Sequence, residues 1–134
     1  MNDAIVEDWG LYPNFSEREF QCSHTSECRM HPDFMEALQN VRSSVGFPLV
    51  ISSGYRSPTH PVERIKSTKG EHTLGLAADV RVFGEQALAV MDAAFAEGFR
   101  RFGFAQSGYH QTRFIHLGWG DKFYNSFVKS IWTY

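Results

Sequence analysis

The 134-residue sequence has no run approaching the ~20 apolar residues of a membrane-spanning helix, which excludes a helical span. It has no basic excess: 13 lysines and arginines stand against 15 aspartates and glutamates. A formal charge of −2 gives no electrostatic basis for a nucleic-acid partner. The opening residues 1–8 are acidic and lack a basic segment followed by an apolar core, so they do not read as a secretory signal. No internal repeat, linker or low-complexity stretch divides the chain, which reads as one domain over 1–134 with an irregular arm at 1–13. Cysteine is scarce. The pair Cys22 and Cys28 leaves three readings open: a second zinc site with His24 and His31, a local disulfide, or two free thiols.

What the chain does have is the material of an ordered core: 43% hydrophobic residues, 15% aromatic, twelve phenylalanines. Ser16 with Glu19 reads as a capping box, flanked by Phe15 and Phe20, which pin the arm to the core. Pro32 suits the first position of a helix over 32–44, with Phe34, Leu38 and Val41 as its buried stripe and Gly46 as its stop. A short buried strand is predicted over 49–53, then a polar connection over 57–71 with one short helix at 62–65. There His60, Glu63 and Arg64 either line a cleft or are solvated. A strand over 76–82 places Ala77, Asp79 and Arg81 on one face. A helix over 84–96 ends at Gly98, and a hairpin over 101–105 and 113–119 turns at Ser107-Gly108. The order α-β-loop-β-α-β-β predicts an α+β fold: a small, mostly antiparallel sheet packed with helices.

One stretch organises the rest: Gly70-Glu71-His72-Thr73-Leu74-Gly75-Leu76-Ala77-Ala78-Asp79. His72, Asp79 seven residues on, and His116 within Phe114-Ile115-His116-Leu117-Gly118 form a three-ligand pattern for Zn²⁺. Two imidazoles and a carboxylate suit that ion and leave a fourth position for water. Phe114, His116 and Gly118 share a strand face. Pairing of that strand beside 76–82 would therefore aim Asp79 and His116 into one pocket.

Upstream stands Ser53-Gly54-Tyr55-Arg56-Ser57. This segment, the His72–Asp79 motif and the strand around His116 together resemble the zinc D-Ala-D-Ala peptidases of the Hedgehog/DD-peptidase fold. The short single-domain members carried by bacteriophages are the nearest in kind, and the likeness runs from about Asn14 to the terminal Tyr134. It implies zinc on His72, Asp79 and His116, and Arg56 as the cation that polarises the scissile carbonyl. It implies hydrolysis near the D-amino acids of peptidoglycan stem peptides, as carboxypeptidase or endopeptidase, in a cleft fed by Arg56; Tyr55, Tyr109 and Trp119 read equally as aromatics of that cleft or as core and rim packing. It also implies a phage-encoded protein, held in the host cytoplasm until lysis or carried on the virion, with tail or baseplate proteins as further partners.

The general base is the gap. Family enzymes carry a carboxylate shortly before the last histidine ligand, and phage-type members commonly another two residues after it. Here no acidic residue lies between Glu97 and Asp121, Arg113 stands three before His116, and Gly118 stands two after. His110, with a pKa near the operating pH, and Glu71, beside the first ligand, are the candidates. A residue of the 60–64 loop is the third source. The competing readings are a catalytically weak or inactive zinc-binding module of a phage tail, and a metal-free binding domain whose ligands fail to converge.

Overall fold

The computed structural model describes residues 3–134; residues 1 and 2, the start of the expected arm, lie outside the described residues. The first helix, α1 (Pro32–Val45), begins where proline costs nothing, since the first N–H groups of a helix lack intrahelical acceptors. His31 caps it, its Nδ1 accepting from the Asp33 N–H at 3.1 Å. Gly46 ends it in the left-handed region at φ +75°. The second helix, α2 (Gly84–Glu97), stops the same way at Gly98. Before α1, Ser16 and Glu19 form the expected capping box on a 3₁₀ turn (Glu17–Phe20), and Phe15 and Phe20 meet edge to face in the core.

Five strands follow among the described residues: β1 (Val50–Ser53), β2 (Ala77–Arg81), β3 (Arg101–Ala105), β4 (Phe114–Gly118) and β5 (Ser130–Thr133). They form one sheet in the order β1-β2-β4-β3-β5, antiparallel except where β5 runs parallel to β3. The α+β class and the mostly antiparallel sheet are as the sequence predicts. β5 is an addition. Its four residues are too few to show a period against the aromatic-rich segment around them.

Two other expectations are corrected. β1 is an edge strand, not a buried one, and Val50 is 58% exposed. β-branched composition marks a pleated surface without revealing whether anything covers it. At 62–65 there is a run of turns in place of a helix. The N–H groups of Glu63 and Arg64 both return to the His60 carbonyl at 2.9 Å, and the winding goes no further, as expected of a segment too short to propagate.

The two faces of the sheet differ in kind. Ala78, Val80, Phe102, Ile115 and Leu117 join Phe34, Leu38, Val41, Val90 and Ala94 of the helices in one buried cluster. On the opposite face, register alone lines up Asp79, His116, Gly103 and Trp132 across four neighbouring strands. That row is the floor of the site.

Gly75 is where the loop before β2 meets the core. Its φ is +71°, and a Cβ there would stand 2.9 Å from the His31 nitrogen and 3.0 Å from the Met30 Cα. The same glycine's carbonyl accepts from His31 N–H at 2.9 Å, tying the ligand loop to the start of α1. Gly75→Ala is expected to destabilise the protein by more than ~1 kcal/mol, since it adds both strain and a backbone clash. Denaturant unfolding of the metal-free protein checks this, and an unchanged midpoint would refute it.

Candidate metal centre

The His72 side chain reaches the sheet from a tight loop. Within it Thr73 N–H returns to Gly70 O, Gly75 N–H to His72 O, and Leu76 N–H to Glu71 O. His72 Nδ1 lies 2.8 Å from the carbonyl of Gly54. A carbonyl only accepts, so Nδ1 carries the proton and Nε2 presents its lone pair. That nitrogen faces Asp79 Oδ1 at 3.4 Å. His116 faces the same oxygen with its own Nδ1, at 3.0 Å, and the two rings lie 5.0 Å apart. All three residues are buried, and one ligand atom from each lies within 4.8 Å of the others.

The donor set fits a metal. Two imidazole nitrogens and a carboxylate oxygen aimed at one point from a dry floor are what borderline Zn²⁺ takes. Burial would raise the Asp79 pKa, but the bonds from His116 and His72 hold it well below the usual carboxylate range. Burial keeps His72 below its ordinary value, as a ligand with a free lone pair requires. On His116 burial acts in the same direction, but the carboxylates on its two nitrogens outweigh it and raise its pKa. Without a metal, an imidazolium there offsets part of the acidic charge.

Arg56 stands at the rim, as expected from its place beyond β1. Its Nε donates to Ser53 Oγ at 3.1 Å, one terminal nitrogen to Glu63 Oε2 at 3.2 Å, and the other reaches Asp79 Oδ2 at 3.5 Å. The guanidinium is thus aimed by two carboxylates at the edge of the metal position. Glu63 belongs to the 60–64 loop and is not a solvated charge: it is buried, bonded by Lys66 at 3.0 Å and by Thr73 Oγ1 at 3.1 Å as well.

The base candidates separate. His110 is exposed on the outer hairpin, its ring stacked on Phe83 at 4.4 Å, and it does not line the cleft. A 3₁₀ turn (His110–Thr112) holds it there, which strand periodicity alone could not show. Glu71 does line the cleft, and it is buried. Its Oε1 lies 3.0 Å from His116 Nε2, and its Oε2 accepts from Gly120 N–H at 2.9 Å. Arg101 Nε makes an ion pair with the same Oε2 at 2.9 Å. Burial pushes the Glu71 pKa up, but His116 and Arg101 more than reverse it, leaving an ionised acceptor.

The cleft encloses about 430 Å³. Beyond the metal group, its walls include Lys66, Arg101, Phe127, Trp132 and Tyr134, none of which sequence reasoning singled out. The available signal was alternation: Arg101 and Gly103 stand opposite Gly118 and His116, so the face of β3 was legible once β4 was placed. The walls from β5 were not. The aromatics expected at the cleft lie elsewhere: Tyr55 is buried, Trp119 packs on Phe99 at 4.7 Å, and Tyr109 is 77% exposed.

Cys22 and Cys28 are both free, which removes the disulfide reading. Among the described residues the His72–Asp79–His116 group is the only convergent set of three potential ligands, so the thiols with His24 and His31 form no second site. Cys22 instead accepts from Ser57 N–H at 3.3 Å. Burial opposes its thiolate, yet backbone bonds from Ser57 and His24 bring its pKa down to about 7.

A loop histidine that converges with a strand histidine and an aspartate beneath an arginine suits a metal-dependent hydrolase, and comparison gives the family. The model of the family described as peptidase M15 matches residues 13–118, which include Arg56, Glu71 and all three of the convergent residues. The chain belongs to the peptidase M15 family, whose members are metal-dependent hydrolases, usually of zinc. No curated protein matches it. No helix among the described residues is long and apolar enough to cross a membrane.

Glu63 gives a pH prediction. Burial raises its pKa, but Lys66, Arg56 and Thr73 bring it below the ordinary 4.5. Because the folded value is the lower one, its stabilisation is full above the unfolded pKa and is lost as pH falls through the folded pKa. Glu63→Gln is therefore expected to cost about 1–3 kcal/mol at neutral pH. It should also flatten the acid limb of the melting temperature below pH 4.5, measured by thermal melts of wild type and variant. A variant curve parallel to wild type would refute the assignment.

Proposed function

We propose that this chain is a zinc-dependent peptidoglycan peptidase, cutting bonds near the D-amino acids of stem peptides in the manner of a D-Ala-D-Ala carboxypeptidase. The observation that carries the reading is the convergence of His72, Asp79 and His116 below Arg56 in a cleft walled by cations and aromatic rings. Zinc on that set would act as a Lewis acid and lower the pKa of water to near neutrality. The remaining steps belong to the chain. Arg56, held by Glu63 and Asp79, places a fixed positive charge where a scissile carbonyl would develop negative charge. Lys66 and Arg101 make the cleft attractive to a peptide carboxylate, and Trp132 and Tyr134 offer faces to its aliphatic side chains. The phage setting, with action at lysis or from the virion, and operation as one domain over 1–134 rest on the resemblance of the motifs.

One observation favours a second reading, a zinc-binding module with weak or no catalysis. The carboxylates lining the cleft are Asp79 and Glu71, and both are committed to other partners. Among the described residues that line the cleft, no uncommitted carboxylate stands ready to take the proton of an attacking water.

Activity decides. Zinc-loaded protein is expected to release new amino termini from purified peptidoglycan or D-Ala-terminated stem peptides. His116→Ala should abolish both that release and stoichiometric zinc. Arg56→Ala should keep its zinc and lose about 10²–10³-fold in kcat/KM. One bound zinc with no cleavage of any stem peptide would leave the module reading in place of the enzyme.

A further inference from the structure

Glu71 comes from the ligand loop, yet its carboxylate lies against a strand two chain segments away. The room for it is made by glycine. A Cβ on residue 118 would stand 2.6 Å from Glu71 Oε1 and 2.8 Å from its Cδ, and a Cβ on residue 120 would stand 2.9 Å from Oε2. Any side chain at 118 would therefore occupy the volume that the Glu71 carboxylate fills. Gly118 lies on the His116 face of β4, two residues along. The group now at that place is a carboxylate brought in from outside the strand.

What this carboxylate touches is the outer nitrogen of His116. The inner one, Nδ1, faces Asp79 Oδ1 and the His72 side of the pocket, and Nε2 faces Glu71 at 3.0 Å. An ionised carboxylate only accepts, so Nε2 carries a proton towards Glu71, and Nδ1, which faces Asp79 within the convergent group, is the nitrogen that would give up its proton to a metal. Glu71 itself is not a member of the convergent ligand set. Its orientation is fixed further by a hydrogen bond from Gly120 N–H and an ion pair with Arg101, whose guanidinium sits about 5 Å from the rings of Phe127 and Trp132.

We infer that Glu71 is a positioning residue, whose carboxylate fixes the tautomer and ring orientation of His116 for metal binding from the volume that Gly118 leaves open. The inference rests on the zinc reading above and adds a part to it. It also accounts for the commitment of Glu71: an acceptor that anchors a ligand ring serves as an orienting group, not as a free base. Partners of this kind typically contribute 10–100-fold in metal affinity.

The geometry can be tested by moving the carboxylate. Zinc affinity is measured by competition with a chromophoric chelator for wild type, Glu71→Ala, Gly118→Asp, the double variant Glu71→Ala/Gly118→Asp, and His116→Ala. Thermal melts of the metal-free proteins establish that each one folds. The proton on His116 Nε2 is followed by long-range ¹H–¹⁵N spectra of the zinc-loaded protein. Glu71→Ala should bind zinc about 10–100-fold more weakly and lose the protected Nε2 proton. Gly118→Asp alone should also weaken binding, because two carboxylates then compete for one volume. The double variant should recover most of the affinity and the Nε2 proton. A folded Glu71→Ala that binds zinc within twofold of wild type would overturn the inference and leave the zinc reading intact. So would a folded double variant no better than Glu71→Ala. Wild type that binds no zinc would overturn both, and His116→Ala with wild-type affinity would move the metal elsewhere.

Discussion

Everything at this site depends on the pairing of β2 with β4. Antiparallel register sets Asp79 opposite His116, and the pleat turns both side chains to the same face. A slip of either strand by one residue would turn its ligand, Asp79 or His116, into the helix-packed core and bring Ala78 or Leu117 outward. Register is protected by that core, where Ala78, Val80, Ile115 and Leu117 are fully buried or nearly so. Hydrophobic packing on one side of the sheet thus holds the polar geometry on the other.

Charge is arranged around that geometry in a closed pattern. The carboxylates of Glu63, Asp79 and Glu71 are each met by cations or imidazoles: Arg56 and Lys66 on the first, Arg56 and both histidines on the second, Arg101 and His116 on the third. Buried charges are costly unless paired, and breaking one pair strands the partner. The pattern therefore fixes side-chain directions more than it adds stability. Arg56 illustrates this, because two acidic neighbours on different segments leave its guanidinium few orientations.

Much of this was legible in the sequence, and what was not has identifiable physical causes. Helix ends were legible because proline at Pro32 and left-handed glycine at Gly46 and Gly98 are local signals. The convergence of His72, Asp79 and His116 followed from strand alternation once the pairing was assumed. Glu71 was named for its place beside His72, but its contact with His116 was not legible, because its surroundings are set by an absence two segments away: an open volume at Gly118 has no sequence period. His110 misled for the opposite reason, since nearness in sequence to His116 suggested nearness in space, and a 3₁₀ turn removed it. β5 was missed because parallel pairing of a four-residue strand carries no hairpin signal.

The fifth strand gives the cleft two origins. Asp79, His116 and Gly103 of its floor lie within residues 13–118, the stretch that matches the peptidase M15 family, but Trp132 of the same row and the walls Phe127 and Tyr134 lie beyond it. β5 pairs with β3, the rings of Trp132 and Tyr134 pack on His116 and Phe114 of β4, and none of the three supplies a ligand atom to the convergent group. The residues that would hold a metal and part of the wall that a ligand would meet therefore come from different stretches of the chain.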